Sequence, residues 1–208
     1  SALSKGAQGF EVKRSDSVGP ILGKELQGKA LLSVVMVIIA IVLFITFAFR
    51  KVSQPVSSFK YGLVAIVALL HDVIVPIGAF AILGHFHGFE VDALFVTALL
   101  VILGFSVHDT IVVFDRVREH LKINLEKKID QPFDQVVGES VSQTFVRSIN
   151  TSLTVLLSLV VLYYFGPEST RNFSLALFIG IAMGTYSSIF IGSPLLVTLQ
   201  KWQEKRKK

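Results

Sequence analysis

Five apolar runs, each long enough to cross a lipid bilayer, decide what this chain can become. A helix rises 1.5 Å per residue and the hydrocarbon core is about 30 Å thick, so about 20 apolar residues span it. Runs of that kind occupy 30–49, 61–83, 93–114, 148–165 and 172–197, and the first and last carry no charged residue. With 52% apolar residues in 208, little chain is left for a soluble core. The predicted fold class is an all-α membrane protein, a bundle of five transmembrane helices joined by short loops.

The positions of the basic residues give the orientation. If the N-terminus lies outside, segments 50–60, 115–147 and 198–208 face the cytosol and hold 14 of the 20 Lys and Arg residues. The outer loop 84–92 has none, and 166–171 has only Arg171. This asymmetry obeys the positive-inside rule and predicts a cytosolic C-terminus. The formal charge of +5 is therefore topological, and nucleic-acid binding is set aside. The absence of cysteine excludes disulfides, thiolate nucleophiles and cysteine-ligated metals.

Residues 1–29 are polar, glycine-rich and show no cleavable signal. They read as the end of a longer extracytoplasmic region, with Val18-Gly19-Pro20 as a turn into the membrane and the whole chain as part of a larger polypeptide. After the third span, 115–128 continues outward as a charged helix end. Pro132 then suits the first turn of a new helix. Phe133, Val136, Val137, Val141 and Phe145 recur at helical spacing, which predicts an amphipathic helix at 132–146, lying on the inner membrane surface or packed on a partner. The tail 198–208, with Lys201-Trp202 and the basic run after it, fits an interfacial anchor in contact with membrane lipid. In the last span Ala176, Gly180, Gly184, Ser188 and Gly192 recur every four residues. Such a stripe lets a neighbouring backbone approach closely, as a fixed seam or as a sliding surface.

Two His-Asp pairs interrupt this apolar background: His71-Asp72 in the second span and His108-Asp109 in the third. A carboxylate at mid-membrane costs about 2.5–3.5 kcal/mol even on lenient insertion scales, so such residues mark proton relays, ion paths or buried ion pairs. Asp109 lies six residues before the boundary residue Asp115, about 9 Å deeper. Ser106 is one turn away and Thr110 follows. Arg147 enters the next span from the same side and is expected to pair with Asp109, as a switching proton site, as a static bridge, or as no more than a positive-inside anchor. Asp72, four residues before Pro76, is either a second proton site or a partner for backbone freed by the proline. His71 and His108 point about 100° away from their acids, which favours structural contacts. His85 and His87 form an H-x-H in the outer loop, a weak cation site. No nucleophile triad, phosphate loop or HExxH motif appears, so no enzyme activity and no cofactor are expected.

Three runs carry a family resemblance: GFSVHDTIVVFDRVREHL (104–121), QTFVRSINTSLTVLL (143–157) and FSLALFIGIAMGTYSSIFIGSPL (173–195). Together with VGPILGKEL (18–26) and LLHDV (69–73), they closely resemble the SecF family over about 18–197. The DTIVVFDRVRE block is the specific part and fits SecF, or the SecF half of a fused SecDF, better than SecD. The resemblance implies a membrane domain of the RND superfamily type in a bacterial or archaeal plasma membrane. It also implies an accessory role in protein export, coupled to protons with sodium left open. Its partners would be SecD (separate or fused), the SecYEG channel, a YidC-like insertase and the exported polypeptide. Asp109 and Arg147 fall on the family's intramembrane aspartate and arginine, and Asp72 on its His-Asp. His108 replaces a frequent Asn and Phe105 a frequent Tyr. The family's first span and extracytoplasmic domain are expected outside these residues. Two other readings stay open: an assembly subunit whose acids only staple helices, and a half-transporter for small molecules or ions.

Overall fold

The computed structural model describes residues 20–48, 58–89 and 91–207, and among these the regular structure is entirely helical. The turn expected at 18–20 lies almost wholly outside them. Helix α1 spans Pro20–Ala48, α2 Ser58–His87, α3 Ala93–Lys127 and α4 Phe133–Phe165. A short 3-10 turn, Glu168–Thr170, leads into α5 at Arg171–Ser187. A π-turn at Ser188–Gly192 then joins α5 to α6, Ser193–Lys207. Five helical stretches are long and apolar enough to cross a membrane. Their outward faces carry Leu32, Met36, Phe44, Ile74 and Ile82, each more than half exposed. Exposed apolar surface of this kind, here on α1 and α2, suits lipid or another membrane protein.

Helix α5 packs against α2, α3 and α4, while α1 touches only α2 and α3 closely and leaves most of its surface free. The small-residue stripe explains the central place of α5. A Cβ on Gly180 would overlap the Ile102 side chain, and one on Gly184 would lie 3.1 Å from the Ser106 Cβ. Around this seam Leu69, Phe80, Phe95, Leu99, Ile102, Leu103 and Ile181 form the main core. A second cluster joins Ile45, Tyr61, Val64, Phe114 and Leu196 toward the other end, with Tyr61 and Phe114 edge to face at 5.2 Å.

Two elements differ from expectation. The segment 132–146 is no separate surface helix, because α4 runs unbroken from Phe133 to Phe165. At 33 residues it is about 50 Å long, some 20 Å more than a bilayer core. Its extra length pairs with the equally long α3: Val136 and Val137 bury against Val117 and Leu121. Four of the five apolar positions of the amphipathic pattern, Phe133, Val136, Val137 and Val141, therefore pack within the same chain, while Phe145 is exposed. Arg116 Nε donates to Gln143 at 2.6 Å and Ser140 meets His120 at 3.2 Å, joining the two helices beyond the membrane. The hairpin turns where Lys128 adopts a left-handed conformation (φ 54°) that caps α3.

The last span also departs from one straight helix. Pro194 has no N–H for the carbonyl of Phe190, and its ring crowds that carbonyl, so the ladder widens into the π-turn. Ser193 Oγ spans it by donating to Ser188 O at 3.0 Å. Past the turn α6 continues to Lys207, and Lys201 is tied to Asp134 at the start of α4 by a 2.8 Å ion pair.

The α3–α5 seam predicts an asymmetric response to added bulk. Gly180→Val is expected to lower stability by about 1–3 kcal/mol through overpacking. Gly78→Ala, where a Cβ meets nothing within 4 Å, should change it little. Thermal unfolding of the two variants in detergent checks this.

Candidate functional site

Both intramembrane aspartates are buried, at 0% exposure for Asp72 and 2% for Asp109. A carboxylate away from water must find donors or become neutral. Here the donors are hydroxyls from three helices. Asp109 of α3 accepts from Thr185 Oγ1 of α5 at 3.2 Å and, at the limit of a hydrogen bond, from Ser152 Oγ of α4 at 3.5 Å. Ser152 and Thr185 are themselves closely hydrogen-bonded to each other. Thr110 turns away from the acid and donates to Ser106 O at 3.1 Å.

Asp72 of α2 has its own set of partners. Ser187 Oγ donates to its Oδ2 at 2.7 Å, Ser106 Oγ makes a short hydrogen bond to the same oxygen, and His71 Nδ1 lies 2.9 Å from Oδ1. Its side-chain partners are thus hydroxyls of α3 and α5 and the adjacent imidazole, not backbone released by Pro76. Ser106, expected beside Asp109, serves Asp72 instead. It sits on the α3 surface that Gly184 touches, so the α5 seam holds it there.

Arg147 is not brought to Asp109. It is exposed on α4, and among the described residues no ion pair joins it to a carboxylate. Geometry explains this. Ser140, Thr144, Ser148 and Ser152 recur every four residues and form the buried stripe of α4, so Arg147 stands about 100° around the helix from Ser148. Arg147 shares its exposed face with Asn150, Thr154 and Ser158. His108 is also exposed, on the outward side of α3.

Two side chains that reach Asp109 escaped the sequence reading, Ser152 and Thr185. Each looks like a routine small residue in a span. The four-residue recurrence of hydroxyls at 140, 144, 148 and 152 was the available signal for the first. Between α4, α5 and the π-turn lies an apolar cleft of about 290 Å³, lined by Leu153, Leu156, Tyr186, Ile189 and Phe190, with Ser152 and Thr185 in its wall. It opens on the outer surface of the bundle close to the donors of Asp109. Among the described residues no three His, Cys, Asp or Glu side chains gather as a metal site.

The family model described as protein export membrane protein SecD/SecF, C-terminal, matches residues 1–202. The protein translocase subunit SecF of Thermobaculum terrenum is 52% identical over 189 residues, 91% of this chain and 56% of that protein. SecF of a Synechocystis species is 44% identical over 99% of this chain and 62% of its own length. SecDF of Thermus thermophilus is 37% identical over 94% of this chain and 24% of that protein. A crystal structure of SecDF in a super-membrane-facing form aligns with TM-score 0.72 and 32% identity, covering 92% of this chain and 23% of that one. The chain thus spans a little more than half the length of these SecF relatives.

Thr185→Val keeps the branched shape but removes the O–H that reaches Asp109. Hydrogen bonds to charged groups contribute about 1.5–3 kcal/mol, so a loss of that size is expected if the acid is ionised in the resting fold. Thr198→Val, at an exposed hydroxyl bonded only to its own helix, should cost under about 0.5 kcal/mol. Unfolding of the two variants side by side measures the difference.

Proposed function

The chain belongs to the SecD/SecF family of protein-export membrane proteins, and from that premise we propose that it is the ion-coupled membrane half of a protein-export subunit. In this reading a proton binds and leaves Asp109, and the accompanying helix movement assists a late step of export through a Sec-type channel. The observation that carries the proposal is the setting of Asp109: a carboxyl buried within the bundle, held by hydroxyls and with no cation at ion-pair distance among the described residues. A fixed staple between helices would be more stable with a paired cation, since an unpaired buried charge is strongly unfavourable. Hydroxyls can serve either protonation state, because each both donates and accepts. Each charge crossing 100 mV releases about 2.3 kcal/mol, enough to bias a conformational equilibrium by more than tenfold.

The second support is the outward face of α4. Arg147, Asn150, Thr154 and Ser158 line one side of a helix at membrane depth, exposed in the isolated chain. An arginine facing lipid is costly, so this stripe calls for a covering partner that offers a carboxylate or hydrogen-bond acceptors. A SecD-type half, separate or fused, is the partner proposed, with the basic loops and the C-terminus on the cytosolic side of a plasma membrane.

In proteoliposomes with the full translocase, Asp109→Asn is expected to abolish the stimulation of export by an imposed proton gradient while complex recovery stays near wild type. Export that falls only in proportion to lost complex would instead assign the acid to assembly. Arg147→Ala should leave this chain's own unfolding within about 0.5 kcal/mol, because its side chain is exposed, and sharply reduce co-purification of the SecD-type half.

A further inference from the structure

We propose that Asp72 is a second proton-binding site, coupled to Asp109 through the Thr185–Ser187 segment of α5. The inference rests on reading Asp109 as a proton site and extends it to a carboxyl on a different helix.

The geometry has three parts. First, the two acids sit on different helices but take donors from one short stretch of α5. Thr185 reaches Asp109 and Ser187, two residues on, reaches Asp72. A shift or rotation of that stretch alters both at once. Second, each of these hydroxyls has a ready alternative acceptor. Thr185 Oγ1 lies 3.2 Å from Asp109 Oδ2 and 3.1 Å from Ile181 O. Ser187 Oγ lies 2.7 Å from Asp72 Oδ2 and 3.1 Å from Gly184 O. A hydroxyl has one hydrogen to give. While the acid is ionised, that hydrogen points at the carboxylate. When the acid takes up a proton, its own O–H donates to the hydroxyl oxygen and the hydroxyl hydrogen turns to the helix carbonyl. No donor is stranded in either state. Third, the segment ends at the π-turn, where the ladder is already broken and a small helix shift disrupts few further bonds.

No fixed cation pre-empts this behaviour. Around Asp72, α2 contributes His71, α3 contributes Ser106 with Asp109 further along the same helix, and α5 contributes Ser187. Helix α1, which also packs on α2, carries no ionisable side chain between Lys29 and its end. Around Asp109 stand His108 on its own helix, Ser152 on α4 and Thr185 on α5. Two acids that share a deformable element titrate as a pair, and linkage makes the influence reciprocal.

The test is infrared difference spectroscopy of the full-length subunit with its SecD-type partner in lipid nanodiscs. The carbonyl band of protonated, isotope-labelled aspartate is followed across pH in wild type, Asp72→Asn and Asp109→Asn. Two buried-acid steps are expected in wild type and one in each variant. The wild-type midpoints should sum to about one pH unit more than those of the two variants, a coupling of about tenfold. Ser187→Ala keeps both acids and should reduce that coupling to below about threefold. An Asp72→Asn spectrum that loses no step overturns the proposal while leaving the Asp109 reading intact. Two steps that add without coupling overturn it as well. An Asp109→Asn spectrum that loses no step instead removes the reading on which it rests.

Discussion

The close approach of α5 to α3 at Gly180 and Gly184 is the contact on which the rest of this structure depends. Only with no side chain at those positions can Ile102 and Ser106 lie against the α5 backbone. That proximity puts Thr185 within reach of Asp109, and it keeps Ser106 and Ser187 on the same oxygen of Asp72. Inside a membrane such a seam is held by packing and hydrogen bonds, since burying apolar surface from lipid yields little. The hydroxyl network and the glycine seam therefore support each other.

Electrostatics then sets the character of the interior. Both carboxyls take hydroxyl donors, with the His71 imidazole beside Asp72, and Arg147 stands exposed about 100° around its helix from the buried Ser148. The bundle thus buries two carboxyls with no Lys or Arg at ion-pair distance among the described residues, and Arg147 stays on its surface. Outside the membrane the pattern reverses. Cation and anion meet there at Lys201–Asp134 and Arg116–Glu119, exposed pairs that join or decorate helix ends and contribute little each. The long α3–α4 hairpin has a small core of its own at Val117, Leu121, Val136 and Val137. It is the continuation of the two helices that carry Asp109 and Ser152.

Much of this was legible in the sequence. Long apolar runs leave little freedom, and aspartates at 72 and 109 within them are expected to turn inward, as both do. The stripe at 176, 180, 184, 188 and 192 announced a close-packed face. What failed, failed for physical reasons. An amphipathic pattern at 133–145 states that one face is covered but not by what, and here the cover is α3 of the same chain. Depth alone placed Arg147 near Asp109, but depth says nothing of azimuth. The neighbouring Ser148 takes the inward position because a small residue fits the buried stripe of α4 and a guanidinium does not. The last apolar run reads straight through Pro194, and the structure shows a π-turn just before it within a continuing helix.

The central claim is that Asp109 takes up and releases a proton within the membrane. It is tested most directly by proton flux into liposomes holding the full-length subunit with its SecD-type partner, driven by an imposed membrane potential and read by an entrapped pH-sensitive dye. Flux above the protein-free leak that disappears in Asp109→Asn, with both proteins equally incorporated, is the predicted result. Equal flux in wild type and variant would contradict the account and leave Asp109 a structural group.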